Sequence, residues 1–344
     1  MTLSRRLRQL HGSQSGLLAI AAGLGVLAGV NAAVARRTER RHPPEGRFIT
    51  VDGVRLHYTD RGVGRPVVLV HGNAVSGHDY DTSGIAEMLA QTNRVIIFDR
   101  PGFGHSDRPR RRVWSAEHQA ELLHKALASL QVQRPVVVGH SWGTLVALAL
   151  ALDNPTDTAG LVLLSGYYFP TLRLDAPLVA PVATPILGDL LRYTVSPVLG
   201  WLLMPAFKRT LFAPARVPAR FKAEYSAAMA LRPSQVRATA EDGTLMVPNA
   251  QRLSRRYGEI AMPVVVMAGH GDKIVSNRQA ERLHEAIPGS SLRIIEGVGH
   301  MLHHIASRAV VAAVTELSHE ADGNAAKDRR SVPGLSKERV IGAG

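Results

Sequence analysis

The sequence contains no cysteine, which excludes disulfide bonds, a thiol nucleophile and metal sites built on cysteine. The absence leaves the compartment undecided. The fifteen histidines are scattered, and none belongs to a ligand pattern such as H-E-x-x-H, so we predict no bound metal. No internal repeat is visible. Length and composition predict one folded domain with an inserted segment rather than two independent domains.

The chain also lacks an evenly spread positive charge, although its formal net charge is +13. Residues 1–47 carry eight arginines against two glutamates, and residues 166–262 carry twelve lysines and arginines against six acids, so each segment contributes +6. Apolar residues alternate with the basic ones in both segments, which favours a membrane surface over nucleic acid as the partner. The basic cluster at 108–112 could contact nucleic acid, but a solvated loop is the favoured interpretation.

One long apolar run lies near the amino terminus. Gly16 to Ala35 is interrupted only by Asn31, and its twenty residues would cross about 30 Å of hydrocarbon as a helix. A signal peptide cleaved near Ala35 is the alternative, but such peptides usually have an apolar core of roughly 7 to 15 residues. We therefore predict a basic segment at 1–15 and an uncleaved transmembrane anchor at 16–35.

Arginines flank this predicted anchor on both sides. The larger number follows the apolar run, which favours a cytoplasmic location for the rest of the chain, although large domains can be translocated regardless of such charges. The flanking residues are Arg5, Arg6 and Arg8 before the run and Arg36, Arg37, Arg40 and Arg41 after it.

The most informative motif is G-H-S-W-G at residues 139–143. It follows a buried-strand run at 135–138 and precedes a helix-forming run at 144–152. Strand, tight turn and helix are the context in which G-x-S-x-G raises a serine hydroxyl above a sheet, so Ser141 is the candidate nucleophile. The alternative is a turn whose serine only caps the following helix.

A serine hydroxyl is a poor nucleophile at neutral pH unless a histidine and an orienting carboxylate reach it. Two later strand-like runs are each followed by such a residue, Asp272 after residues 263–269 and His300 after residues 291–295. Both lie just past the carboxyl end of a strand, the edge at which open parallel sheets carry their sites. Ser141, Asp272 and His300 also follow the chain order expected of a catalytic triad in this architecture.

Other residues compete for these two roles. His303 and His304 follow His300 on what is predicted to be the next helix, where a histidine is more often packed or solvated. A carboxylate after the preceding strand would compete with Asp272, but residues 161–167 contain none. His300 and Asp272 therefore remain the preferred candidates.

Five motifs in this order resemble the α/β-hydrolase family, in particular its lid-bearing esterase, haloperoxidase-like and epoxide-hydrolase-like members. They are V-V-L-V-H-G-N at 67–73, F-D-R-P-G-F-G-H-S-D at 98–107, the G-H-S-W-G motif, and the loops that carry Asp272 and His300. The resemblance covers residues 48–317. It implies an α/β fold with a mostly parallel eight-stranded sheet flanked by helices, and it says less about the substrate.

About a hundred residues separate the sixth predicted strand, which ends near Ser165, from the seventh, which starts near Pro263. An ordinary crossover needs far fewer, and the segment is rich in proline and apolar residues, so we predict a helical, partly mobile lid at 166–262. The remaining divisions are core segments at 48–165 and 263–317 and a polar, disordered tail at 318–344.

Two backbone amides complete the predicted site. The N–H of Trp142 directly follows the nucleophile, and the resemblance implies the N–H of Asn73 as the second oxyanion donor. The same two residues also resemble the halide-binding pair of haloalkane dehalogenases, which attack carbon with an aspartate. A serine that displaces halide would leave a stable ether, so Ser141 disfavours dehalogenation and, by the same chemistry, epoxide opening.

The sequence thus predicts a membrane-anchored serine hydrolase that cleaves a carboxylic ester or related acyl bond of an apolar substrate without a cofactor. Ser141 would attack the carbonyl, His300 would carry the proton and Asp272 would hold the imidazole. Two alternatives stay open: a cofactor-free haloperoxidase or acyltransferase with the same triad, and a non-catalytic, membrane-tethered binding protein of the same fold.

Overall fold

The computed structural model describes residues 3–172 and 176–331. In chain order, the helices and strands of these residues are α1 (Leu3–Arg41), β1 (Arg47–Val51), β2 (Val54–Arg61), β3 (Arg65–Val70), α2 (His78–Thr82), α3 (Ile85–Ala90), β4 (Asn93–Phe98), α4 (Ala116–Ser129), β5 (Val136–His140), α5 (Gly143–Asp153), β6 (Gly160–Leu164), α6 (Ala176–Ala183), α7 (Leu187–Tyr193), α8 (Val195–Phe212), α9 (Ala219–Glu224), α10 (Ala227–Ala230), α11 (Pro233–Leu253), β7 (Val264–Gly269), α12 (Arg278–Ala286), β8 (Ser291–Ile295), α13 (Leu302–Ile305) and α14 (Ser307–Ser331).

The strands form one eight-stranded sheet in the order β1-β2-β4-β3-β5-β6-β7-β8. β1 and β4 both pair antiparallel with β2, whereas every later pair is parallel. The inner strands β3, β5 and β6 are almost continuously apolar because helices cover both faces of the sheet. The predicted mostly parallel eight-stranded α/β sheet is confirmed.

Helices pack on both faces of this sheet. One apolar cluster contains side chains of α4, α5, α11 and α12, and the cluster on the other face contains side chains of α3 and α14. Residues 143–152 of α5 are all buried, since this helix lies between the sheet, α4 and α11. Its uniformly apolar sequence follows from that position.

Helices α6 to α11 lie between β6 and β7, where the sequence predicts an inserted lid. Proline lies inside three of these helices, at Pro181, Pro205 and Pro248. α11 is the longest of the six, and it packs against α6, α7 and α8 as well as against α5 of the core. α11 therefore connects the rest of the insertion to the sheet.

The amino-terminal helix α1 includes the predicted anchor and the arginines on both sides of it. Within α1, Leu18–Arg41 contains a stretch long and apolar enough to cross a membrane. A signal sequence meets the same criteria of length and composition. One side of α1 packs against α7 and α10, so the helix contacts the insertion.

The carboxyl-terminal helix differs from its prediction. α14 continues to Ser331, so residues 318–331 have a helical backbone where the sequence predicts a disordered tail. Leu317 and Ala321 are buried in the cluster on the α3 face of the sheet, and this packing extends the helix beyond the predicted boundary. Residues 332–344, the rest of the predicted tail, lie outside the described residues.

Candidate active site

Ser141 lies on a sharp turn between β5, which ends at His140, and α5, which begins at Gly143. Its φ angle is 51°, in the left-handed region that side chains other than glycine rarely adopt. Its N–H donates to the Leu164 carbonyl oxygen at 2.8 Å, which fixes the turn to the neighbouring strand. Such a strained turn is the geometry of a nucleophile elbow.

Two glycines of the motif are required by close backbone contacts. A Cβ on Gly139 would lie 2.8 Å from the Gly143 carbonyl oxygen and 2.8 Å from the Thr144 Cα. A Cβ on Gly143 would lie 2.3 Å from the carbonyl oxygen of Val70 in β3. Neither backbone can move without disturbing the sheet or α5, which explains the glycine on each side of the serine.

The structure brings together the three residues that the sequence selected. His300 Nε2 lies 2.9 Å from Ser141 Oγ, and His300 Nδ1 lies 2.8 Å from Asp272 Oδ2. The other oxygen of Asp272 accepts the N–H groups of Ile274 and Val275 at 2.8 and 3.0 Å. Because an ionised carboxylate only accepts, Nδ1–H donates to it, and Nε2 is left to accept the serine hydroxyl.

This arrangement is shielded from water. The side chain of His300 is 4% exposed and that of Asp272 is 1% exposed. Both residues lie on loops that follow β8 and β7, which are neighbours at one edge of the sheet. Their convergence on the turn after β5 follows from the parallel direction of the strands.

His303 and His304, the two histidines that compete with His300, both contact a different carboxylate, that of Asp79. His303 Nε2 and His304 Nε2 lie 2.8 and 2.9 Å from the two oxygens of Asp79 on α2. Burial by itself would raise the pKa of Asp79, but the neighbouring His304 and His303 outweigh it and hold that pKa well below its ordinary value. The structure places both histidines in this buried group and not against Ser141.

His140 connects this group to the active-site loop. Its Nε2 lies 3.2 Å from the carbonyl oxygen of His300, and its ring lies 4.3 Å from the ring of His303. Burial lowers the pKa of His140 well below its ordinary value, so the ring is neutral and donates to this carbonyl. Sequence reasoning missed this support because Asp79, His140 and His303 are far apart along the chain.

The same three residues have donor atoms within 4.8 Å of one another, a spacing that could hold a metal ion. Both oxygens of Asp79 already accept hydrogen bonds from His303 and His304, which satisfies the carboxylate without an ion. The absence of a bound metal stays a prediction.

The two residues predicted as oxyanion donors are close to the serine, because Trp142 follows it directly and Asn73 follows a glycine in contact with it. A Cβ on Gly72 would lie 3.1 Å from the Ser141 Cβ, so the turn that presents Asn73 is in contact with the elbow. Within the described residues, neither the Asn73 nor the Trp142 N–H donates to a protein acceptor. Both amides are therefore available to a ligand atom.

The side chains of Asn73 and Trp142 have a different use. Asn73 Nδ2 donates to the Thr239 carbonyl oxygen at 3.0 Å, and Trp142 Nε1 donates to the Asp242 carbonyl oxygen at 2.8 Å. Both acceptors belong to α11. Both side-chain nitrogens are thus engaged by the insertion, and the argument against dehalogenation rests on Ser141.

A buried ion cluster holds α11 in this position. Asp242, which is fully buried, accepts Arg100 Nη1 at 2.6 Å and Arg108 Nη2 at 2.9 Å. The Arg100 guanidinium also lies 4.5 Å from the ring centre of Phe103 and 4.6 Å from that of Trp142. The F-D-R-P-G motif therefore links the elbow to the insertion.

His71 forms a hydrogen bond with the backbone of Arg100. The Arg100 N–H donates to His71 Nε2 at 2.9 Å, and His71 Nδ1 donates to the Gly72 carbonyl oxygen at 2.8 Å. Burial, and then the charge of Arg100, lowers the pKa of His71 to about 3. His71 is accordingly a neutral structural residue beside the oxyanion turn.

A cavity of about 220 Å³ lies beside the site. Its walls include the end of α1 at Arg41 and His42, the loop at Ala74 and Val75 directly after Asn73, and Tyr225 of the insertion. Among the described residues, Ser141 is not part of these walls. The open volume thus lies next to the oxyanion turn, between the end of α1 and the insertion.

Comparisons with known proteins agree with this architecture. A family model of the alpha/beta hydrolase fold matches residues 65–306. The chain is similar to a 2-hydroxymuconate semialdehyde hydrolase of Pseudomonas putida, with 29% identity over 272 residues that cover 76% of this chain and 89% of that protein. It is also similar to a magnesium-chelatase 30 kDa subunit of Rhodobacter capsulatus, with 30% identity over 264 residues, 71% of this chain and 83% of that protein.

Among solved structures, a thermophilic esterase of Thermogutta terrifontis superposes with a TM-score of 0.64. Sequence identity is 23%, and the match covers 80% of this chain and 99% of that one. At this identity the likeness concerns the fold.

Proposed function

The chain belongs to the alpha/beta hydrolase fold family, and from this premise we propose that it is a membrane-anchored serine hydrolase that cleaves an ester-type bond of an apolar substrate. The observation that carries the proposal is the continuous hydrogen-bonded series from Ser141 through His300 to Asp272. A structural turn would need neither the buried imidazole nor the carboxylate that orients it. Hydrolases among the relatives support a hydrolytic reaction.

The geometry supports acyl transfer through a covalent intermediate. His300 Nε2 takes the proton of Ser141 as Oγ attacks the substrate carbonyl, and Asp272 stabilises the imidazolium that forms. The N–H groups of Asn73 and Trp142 donate to the oxyanion. His300 then protonates the leaving group, and a water that it activates releases the acyl group from the serine.

Activity-based labelling tests the nucleophile. We expect the full chain, solubilised in detergent, to react with a fluorophosphonate probe and to hydrolyse p-nitrophenyl esters. Ser141→Ala should abolish labelling and lower kcat by about 10⁶-fold, the scale seen when a triad serine is removed. Ser129→Ala, at an exposed serine whose hydroxyl donates to the Lys125 carbonyl oxygen, is the matched control and should behave as the parent chain.

The same experiment separates the alternatives. A chain that is neither labelled nor active on esters of any acyl length is a binding protein of this fold. A chain that is labelled but passes its acyl group to an added alcohol or to peroxide in preference to water is an acyltransferase or a perhydrolase. A preference for longer acyl chains is the result expected for an apolar substrate.

The membrane part of the proposal rests on α1. We propose that the apolar run from Gly16 to Ala35 in α1 crosses the bilayer once and that the arginines from Arg36 onward keep the rest of the chain on the cytoplasmic side. The intact mass of the protein isolated from membranes tests this anchor. A mature chain that begins near Arg36 would identify a cleaved signal peptide and refute the anchor.

A further inference from the structure

The insertion exposes a large apolar surface on α7 and α8. We call it the apolar lid face, and its side chains are between 38% and 84% exposed. Soluble monomers rarely expose contiguous apolar patches above a few hundred Å² without an interaction partner. Its members are Ile186, Leu187, Leu190, Tyr193, Val195, Val198, Leu199, Trp201, Leu202, Leu203 and Phe207.

The two helices also have the composition of a membrane element. α7 and α8 are bent by 54° at their junction, and together they are long and apolar enough to be a broken span or a re-entrant segment. The carboxyl end of α8 returns to the protein, where Leu211 and Phe212 are buried. The bend is held by the protein as well, since Arg192 and Thr194 beside it are buried, so the exposed part of the pair is its outward-facing apolar side chains.

This surface continues onto α1. Residues of α1 with helical spacing are partly covered, and the neighbouring positions are exposed. Because α1 packs on α7, the apolar lid face and the exposed side of α1 form one surface. The partly covered residues are Leu24, Leu27, Ala28, Asn31, Ala32 and Ala35.

Asn31, the one interruption of the apolar run, lies at the bend. Its Nδ2 donates to the Tyr193 carbonyl oxygen at 2.8 Å and to the Thr194 carbonyl oxygen at 3.1 Å. A bend frees carbonyl groups that water normally hydrates, and in a bilayer such groups must find partners within the protein. The Asn31 side chain gives both carbonyl oxygens a partner within the protein, so the bend suits surroundings without water.

The depth of this contact follows from helix geometry. Asn31 precedes Arg36 by five residues, about 7.5 Å along the axis at 1.5 Å per residue. Amphipathic elements that lie in one leaflet are buried about 5–10 Å below the headgroups. With Arg36 at the headgroups, the bend would lie at this depth, and Lys208 and Arg209 near the end of α8 would return to the phosphates.

We propose that the apolar lid face is embedded in one leaflet of the bilayer beside α1, with lipid acyl chains as its partner. The lid is then a monotopic membrane element, and α1 is not a simple tether. The inference rests on the anchor of the proposed function and is independent of the catalytic residues.

The absence of cysteine makes the test direct, since a single introduced cysteine is the only site for a thiol-reactive label. The full chain is reconstituted in phosphatidylcholine vesicles with added phosphatidylglycerol. Three variants are labelled with bimane: Leu202→Cys on α8, Val26→Cys on the exposed side of α1, and Val63→Cys on the core, where Val63 is 82% exposed. Each is quenched by nitroxide-bearing lipids and, separately, by aqueous iodide.

We expect the labels at 202 and 26 to lose most of their emission to the nitroxide lipids and little to iodide, and the label at 63 to show the reverse. Iodide quenching at 202 together with lipid quenching at 26 would overturn the proposal and leave the anchor intact. Iodide quenching at both positions would refute the anchor itself.

The unsubstituted chain gives a second measurement that needs no variant. Trp114 and Trp142 are buried, whereas Trp201 on α8 is 51% exposed. Brominated lipids should therefore quench the part of the tryptophan emission that comes from Trp201. Emission that is unchanged by brominated lipids and quenched by iodide would contradict an embedded lid.

Discussion

Asp242 on α11 is the residue whose loss should most clearly uncouple the lid from the core. It is fully buried and accepts hydrogen bonds from Arg100 and Arg108. Arg108 has a second carboxylate in Glu241, but within the described residues Asp242 is the only carboxylate paired with Arg100. Asp242→Asn keeps the size of the side chain and removes its charge, so it leaves the Arg100 guanidinium buried without a counter-ion.

The expected cost follows from this burial. Removing one partner of a buried ion pair destabilises a protein by about 3–5 kcal/mol, because the other charge remains desolvated. At about 2–4 °C per kcal/mol, the midpoint of thermal unfolding should fall by roughly 6–20 °C. The catalytic rate should fall too, since the Trp142 indole donates to the carbonyl oxygen of the same residue.

Glu117→Gln is the matched control. Glu117 pairs with Arg252, so it also joins α11 to the core, but these side chains are 27% and 51% exposed. An exposed pair contributes about 0–1 kcal/mol. Thermal unfolding of both variants and the parent in one detergent, with ester hydrolysis measured alongside, gives the comparison. Equal midpoints for Asp242→Asn and Glu117→Gln would refute the reasoning.

Three further predictions concern the elbow, the triad and pH. Gly143→Ala should fold poorly or lose activity because its Cβ would lie 2.3 Å from the Val70 carbonyl oxygen, whereas Gly258→Ala, where a Cβ meets open space, should keep its activity; equal activities would contradict the steric argument. Asp272→Asn should lower kcat by about 10⁴-fold with the fold retained, as judged by circular dichroism, and a rate near that of the parent would exclude Asp272 as the orienting acid. The pKa of His71 is about 3 in the folded state and 6.5 in the unfolded state, so the unfolded state binds the proton first as the pH falls. The free energy of unfolding should therefore decrease by about 1.4 kcal/mol per pH unit below about pH 6.5. His71→Gln should reduce this pH dependence in unfolding midpoints measured between about pH 7.5 and 5, and an unchanged dependence would assign it to other groups.

The candidate site could be located from the sequence because its signals are local. The turn that carries Ser141 is marked by glycines that close backbone contacts require, and these contacts arise within one strand-turn-helix unit. Asp272 and His300 each follow a strand, and parallel strands bring their carboxyl ends to one edge without further information. Their distances of 2.8 and 2.9 Å could not be predicted, but their proximity could.

The surroundings of the site could not be predicted, since they depend on pairs that are distant in sequence. Asp242 meets Arg100 across 142 positions, and Asp79 meets His303 across 224. Composition shows that charges exist, but only the packing of the insertion decides which become buried together. The extent of α14 was likewise decided by burial of Leu317 and Ala321 rather than by the polar residues that follow.

Asn73 and Trp142 show why the lid and the chemistry of the site cannot be treated separately. In the proposed mechanism each residue donates its backbone N–H to the oxyanion, and its side chain donates to a carbonyl oxygen of α11. A shift of α11 would therefore move both oxyanion donors, and distances of 2.7–3.1 Å to the oxyanion tolerate little movement. Substitutions in α11 should consequently change kcat as well as KM, although the helix supplies none of the proposed catalytic residues. Under the proposed mechanism, the lid would act on catalysis through the two residues that first suggested a halide site.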